Sequence, residues 1–155
     1  MVRIYYEQKQ EEELRENISQ MKIKDYLGSK THLSNMIHMK ILYKMDLKEC
    51  LETMEMLVSD QPDNPRILLI LGLAYYMNNE HQKALIVIEE SQIDYLYRSP
   101  STQIIAAVIL DANKRVKDSR YFLKGLIPSS RILPEYKLID GLTPGNIYTN
   151  TPEYL

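Results

Sequence analysis

Asn64-Pro65-Arg66-Ile67-Leu68-Leu69-Ile70-Leu71-Gly72-Leu73-Ala74-Tyr75-Tyr76, followed closely by Lys83-Ala84-Leu85 and Ile88, is the stretch that decides the reading of this chain. Asn64 offers a side-chain oxygen to the first free amides of a helix. Pro65 suits the first helical position, where a missing N–H costs nothing. From Ile67 to Met77 the run is apolar on nearly every side of a helix. It is far short of the ~20 residues that span a bilayer. It therefore reads as a helix buried between neighbouring helices, not as a membrane anchor.

The stretch resembles the tetratricopeptide repeat, a helix–turn–helix unit of about 34 residues. Members of that family pack their two helices closely, so small residues stand where the backbones approach. Gly72 and Ala84 match those places, and Leu71, Tyr75 and Ile88 match the residues that fill the gaps around them. The resemblance implies an all-α fold, a superhelix of about three repeats at 31–64, 65–98 and 99–133. Residues 1–30 would supply an N-terminal helix and 134–155 an irregular tail.

Self-similarity supports that division. Subtracting 34 from the central unit pairs Leu71 with Ile37, Tyr75 with Ile41, Tyr76 with Leu42, Ala84 with Cys50 and Ile88 with Met54. Apolar meets apolar and small meets small, and Pro62 closes the first unit. His38, opposite Gly72 at that spacing, is the bulky departure. Downstream, a lag of 34 would set Asp118 against Ala84, a poor choice for a tight contact. A lag of 35 pairs Gly72 with Ala107, Ala84 with Ser119, Tyr75 with Leu110 and Ile88 with Leu123. It also aligns Asn64-Pro65 with Ser99-Pro100, which implies one inserted residue near Tyr97.

The predicted helices are 7–27, 32–44, 47–60, 65–78, 80–95, 100–113 and 115–127. Asp46 with Glu49, and Asn79 with Gln82, have the spacing of capping boxes. Leu14, Ile18 and Met21 make a narrow apolar stripe in the first helix, which reads as a cap over the first repeat. Only Val2 to Tyr6 have strand-like composition, and a lone strand would have no partner. Beyond Ile127, repeated Pro and Gly predict a tail or loop, with a helical turn or two between Leu133 and Ile139. No closing helix follows, so the chain reads as a piece of a longer repeat protein.

Composition narrows the function classes. Apolar residues at 45% and charged ones at 26% are values of a folded domain, and the net charge of −2 argues against nucleic acid as a partner. One cysteine excludes an internal disulfide framework, and no signal-like apolar segment opens the chain, so a soluble intracellular protein is expected. No phosphate-binding loop or GxSxG elbow is present. His32, His38 and His81 lack the spacing of a metal site, and no cofactor or metal is expected. Cys50 reads as a small buried residue, without the features of a reactive thiol. Asn17-Ile18-Ser19 matches a glycosylation acceptor by chance, inside a helix. Thr143-Pro144 and Thr151-Pro152 could admit a proline-directed kinase, while Ser99-Pro100 already serves as a cap. Lys114, Arg115, Lys117, Arg120 and Lys124 form a basic helix, read first as a solvated face.

Tetratricopeptide repeats bind partners along the inner face made by the first helix of each repeat. The resemblance places there Met39, Leu42 and Tyr43, then Leu69, Leu73, Tyr76 and Met77, then Ile104 and Val108. The Lys/Asn/Arg clamp of the chaperone-binding members has no counterpart, since Asn35, Met39, Leu69 and Leu73 stand in those positions. The resemblance thus implies a non-enzymatic interaction or scaffold domain with an apolar groove. Its partner would be a helix of another protein or a second copy. The prolines and glycines of the tail leave it little apolar surface with which to cover the groove. Similar short repeats form homodimers in subunits of the anaphase-promoting complex, a cell-cycle ubiquitin ligase. A chaperone like those of type III secretion is the alternative, and a regulatory domain of an enzyme a remote one.

Overall fold

In the computed structural model, which describes residues 2–91, 99–124, 126 and 134–142, the central helix starts as its sequence predicts. Asn64 Oδ1 accepts hydrogen bonds from the backbone N–H groups of Arg66 at 3.1 Å and Ile67 at 3.4 Å. Pro65 takes the first helical position. All regular secondary structure among the described residues is helical, with no strand. The elements are α1 (Val2–Gln20), a 3-10 turn (Ile23–Tyr26), α2 (Lys30–Leu42), α3 (Leu47–Asp60) and α4 (Pro65–Met77). They continue with α5 (His81–Glu90), α6 (Pro100–Ala112), α7 (Val116–Leu123) and a C-terminal 3-10 segment (Pro134–Gly141).

Three helix pairs follow one another: α2 with α3, α4 with α5, and α6 with α7. The first helices of successive pairs also pack together, α2 on α4 and α4 on α6, while α3 lies on α4 and α5 on α6. Helix α4 thus touches four neighbours, which explains why every residue from Ile67 to Ala74 is buried. The architecture is repeat-like. No helix among the described residues is long and apolar enough to cross a membrane.

The turn closing each first helix gives the true spacing. Lys44, Asn79 and Lys114 all adopt positive φ, at 57°, 63° and 63°. The N–H groups of Met45, Glu80 and Arg115 reach back to the carbonyls of Lys40, Tyr75 and Leu110. Those of Lys44, Asn79 and Lys114 reach Ile41, Tyr76 and Asp111. This is a Schellman closure made three times, each 35 residues after the last. The 34-residue lag expected for the first unit therefore fails in its first helix. Ile37, not His38, is the equivalent of Gly72, and His38 matches Leu73 and Val108.

One residue restores the lag of 34 in the second helices. In the later pairs the residue after the positive-φ turn, Glu80 or Arg115, is already the N-cap of the next helix. In the first pair Asp46 intervenes, itself at φ 48°, before α3 begins at Leu47. The small residues Cys50, Ala84 and Ser119 then fall at equivalent places, and all three are fully buried. The expected capping boxes do not form. Asp46 caps nothing with its side chain, because its carboxylate is taken by Lys40, and Asn79 belongs to the preceding turn.

Other boundaries differ modestly. Helix α1 stops at Gln20, short of the predicted end at Leu27, and the strand-like Val2 to Tyr6 is helical. Ser99 makes no side-chain cap, although Pro100 holds the first position as expected. Helix α7 ends at Leu123. The insertion near Tyr97 and the predicted ends of α5 and α7 lie outside the described residues, as do the proline-directed sites of the tail.

Candidate functional site

Residues four apart on one helix share a face, so the 35-residue spacing sets up rows across α2, α4 and α6. Ser34, Leu69 and Ile104 make one row, and His38, Leu73 and Val108 the next. Leu42, Met77 and Ala112 make a third, towards the C-terminal ends. Ile104, Leu73 and Val108 are fully enclosed, and Leu69 and Leu42 nearly so. Met39 falls in a different row with Ala74 and Ile109, and is half-buried. Sequence reasoning passed over His38 for this face because it paired the first two units at the wrong lag. The spacing of 35 that already served the third unit would have found it.

The C-terminal segment lies against this surface, packed on α6 and α2. Glu135 is 5% exposed. Its carboxylate accepts a hydrogen bond from the Ser101 hydroxyl of α6. Its Oε1 stands 3.2 Å from His38 Nε2 of α2, a close contact not aligned as a hydrogen bond. Glu135 Oε2 is buried without a hydrogen-bond partner among the described residues. Burial acts to raise the Glu135 pKa, but His38, Ser101 and a backbone hydrogen bond at Glu135 together outweigh it and hold the group below its usual value. Leu138 and Leu142 are buried in the same core as α2, α4 and α6. The expectation that the tail adds little apolar cover is overturned for these residues, since a short turn with leucines at the right spacing suffices.

At the C-terminal ends of α2 and α4 the surface opens into a cleft of about 850 Å³. Leu42, Tyr43, Tyr76 and Met77 line it, so four of the nine expected groove residues meet there. Glu11 and Arg15 of α1 form one wall, while Lys137 and Leu138 of the C-terminal segment form another. The Lys137 ammonium pairs with Glu11 and sits 4.5 Å from the centre of the Tyr43 ring. Tyr76 and His81 lie ring to ring at 5.5 Å, and His81 Nδ1 is buried without a hydrogen-bond partner among the described residues. Burial, then the charge of Asp111, raise the Tyr76 pKa, so its hydroxyl remains a neutral donor. The cleft can seat an apolar or aromatic side chain and offer hydrogen bonds around it.

Elsewhere the polar groups serve the fold. The side chains of Asn78 and Asn113, 35 residues apart, each donate to two carbonyls. Asn78 reaches Leu47 at 3.0 Å and Ala74 at 2.8 Å. Asn113 reaches His81 and Ile109, both at 2.8 Å. Each ties the end of one first helix to the start of the previous second helix. Lys40 is 2% exposed and its ammonium meets Asp46 Oδ2 at 2.7 Å, so the inserted aspartate neutralises a buried cation. Cys50 lies beside this pair, yet burial dominates and pushes its thiol up to about 12, which leaves it a poor nucleophile. Tyr75 is likewise raised to about 12, first by burial and then by its hydrogen bond to Glu55. No group of three or more metal-ligating side chains occurs among the described residues.

The fold and cleft define a helical repeat-like protein with a partly covered face. Comparison of the chain with family models, curated proteins and solved structures found no match.

Proposed function

We propose that the chain is a protein-interaction module of tetratricopeptide type, acting by binding and not by catalysis. The observation that carries this reading is the cleft where the rows of α2 and α4 run out, lined by Leu42, Tyr43, Tyr76 and Met77. Tyrosines supply rigid contact area and hydrogen bonds, and a methionine adapts to what it meets. Helix-in-groove recognition uses anchors three or four residues apart, and the neighbouring pairs of lining residues fit such anchors. The partner is a helix of another protein or of a second copy of this chain, with the cleft in the role of anchor pocket. The repeat-like stacking supports the assignment, because it presents equivalent positions of successive helices on one surface.

The test replaces Tyr76 and Met77 together with glutamate. Both are half-buried at the mouth, so the helices should survive, with circular dichroism unchanged. Sedimentation of the wild-type chain reads self-association, and co-purification with mass spectrometry reads a foreign partner. The double variant should lose the association by at least tenfold. Association that is unaltered in a folded double variant would reject the cleft as the binding surface.

A further inference from the structure

We infer that the C-terminal segment is a displaceable internal ligand, and that the face beneath it recognises a short helical turn carrying a glutamate with leucines three and seven residues further on. The inference rests on the interaction-module reading and names the chemistry of the partner. Glu135, Leu138 and Leu142 are the pattern in this chain, and each of the three is buried against the helix pairs. The seat for the carboxylate is built from two units, since His38 belongs to α2 and Ser101 to α6. The His38 imidazole and the Ser101 hydroxyl face the carboxylate there, and Leu138 and Leu142 add apolar anchors on one side of the turn. Lys137 adds a tether through Glu11 and the Tyr43 ring, at the rim of the open cleft.

Three observations make the hold reversible. The segment is a 3-10 run of 8 residues, whereas such helices seldom exceed three or four residues because their hydrogen bonds are poorly aligned. Its shape is therefore imposed by the surface it lies on. One Glu135 oxygen is buried without a partner among the described residues, a deficit that a better-fitting ligand would repair. The Lys137–Glu11 pair is about half exposed at both ends, and exposed pairs hold weakly. A partner that presents the same turn with a donor of its own to that second carboxylate oxygen, or with full α-helical geometry, displaces the segment and takes over the seat. The adjoining cleft then accepts whatever side chain follows.

A fluorescently labelled synthetic peptide of residues 134–142 tests this by anisotropy against the 155-residue chain. The peptide should bind the Glu135→Ala/Lys137→Ala chain at least tenfold more tightly than the wild type, whose own segment competes. A peptide with Glu135→Gln should bind at least tenfold more weakly than the parent peptide. Equal affinity for both chains overturns the proposal, as does absence of binding to a double variant with native circular dichroism. Should that variant unfold, hydrogen exchange on the wild type decides. Amides of Lys137 to Leu142 should exchange at least a hundredfold faster than those of Leu69 to Leu73. Exchange of both sets at one rate would overturn the idea. Wild-type association that persists while the peptide fails sinks the internal ligand and spares the interaction module. Peptide binding with no association of any kind does the reverse.

Discussion

A methyl group added at Gly72 would stand 2.8 Å from Ile88 Cγ2, inside the closest approach of real side chains, and 3.5 Å from Ile109 Cδ1. Helix propensity argues the other way, because alanine gains up to ~1 kcal/mol over glycine in a helix interior. Cγ2 is a methyl fixed directly on the branched Cβ of Ile88, which is buried, so it cannot swing aside without moving the whole side chain. Overpacking of this kind typically costs about 1–3 kcal/mol. Gly72→Ala should therefore be destabilising on balance, and Gly72→Leu more so. In an Ile88→Ala background the cost of Gly72→Ala should shrink or reverse, as urea midpoints of the four chains would show. A Gly72→Ala chain as stable as wild type would mean that α4 and α5 are not in close contact there. This crossing was legible in the sequence because a lone glycine in an apolar run has few other reasons to exist. The Lys40–Asp46 pair was not. A buried lysine reads as surface until the extra residue that neutralises it has been located, and that residue shows only in the backbone of the turn.

Each second helix repeats the lesson on the scale of an element. Ser119 is fully buried in α7 and its hydroxyl donates to the Ala107 carbonyl of α6 at 2.8 Å. Its neighbour Asp118 is half exposed and pairs with Arg115 at 2.7 Å on the same helix turn. Ser119→Val should lose a buried hydrogen bond and crowd the crossing, destabilising by about 1–3 kcal/mol. Asp118→Ala should shift the thermal midpoint little, since exposed pairs contribute little. The opposite ranking would restore the 34-residue lag between the last two units. Starts of helices marked by proline were legible, because the ring constrains the backbone wherever it stands. Caps inferred from Asp46 and Asn79 were not, because both residues lie in turns of positive φ whose closure depends on the preceding helix. Asn78 and Asn113 escaped notice for the same reason. Their amides bridge two helix pairs, a contact that no spacing within one helix reveals.

Across the whole molecule, the segment from Pro134 joins elements far apart in sequence, with Glu135 touching His38 and Ser101 and Lys137 touching Glu11. Such long-range closure is the least legible part of the fold. Proline and glycine in the tail announce a break in regular structure, and say nothing about where the following turn will dock. The docking brings a pH dependence whose direction follows from the carboxylate. Although burial opposes it, the contacts with His38 and Ser101 and the backbone hydrogen bond at Glu135 hold the Glu135 pKa below the usual 4.5 in the folded chain. A group so depressed contributes its full stabilisation above the unfolded value and loses it as the pH falls through the folded one. Among the described residues, the side chains in contact with the carboxylate are His38 from α2 and Ser101 from α6. Between pH 7 and 5 the segment should stay docked. Below about pH 4.5 the methyl resonances of Leu138 and Leu142 should move towards positions of an exposed chain, before those of Leu69 and Leu73 respond. Glu135→Gln should flatten that response, because an amide has no charge to lose. Leucine methyls of the segment and of α4 that titrate together, or a Glu135→Gln chain with an unchanged acid transition, would show that the carboxylate does not govern docking and that acid acts on the helix pairs themselves.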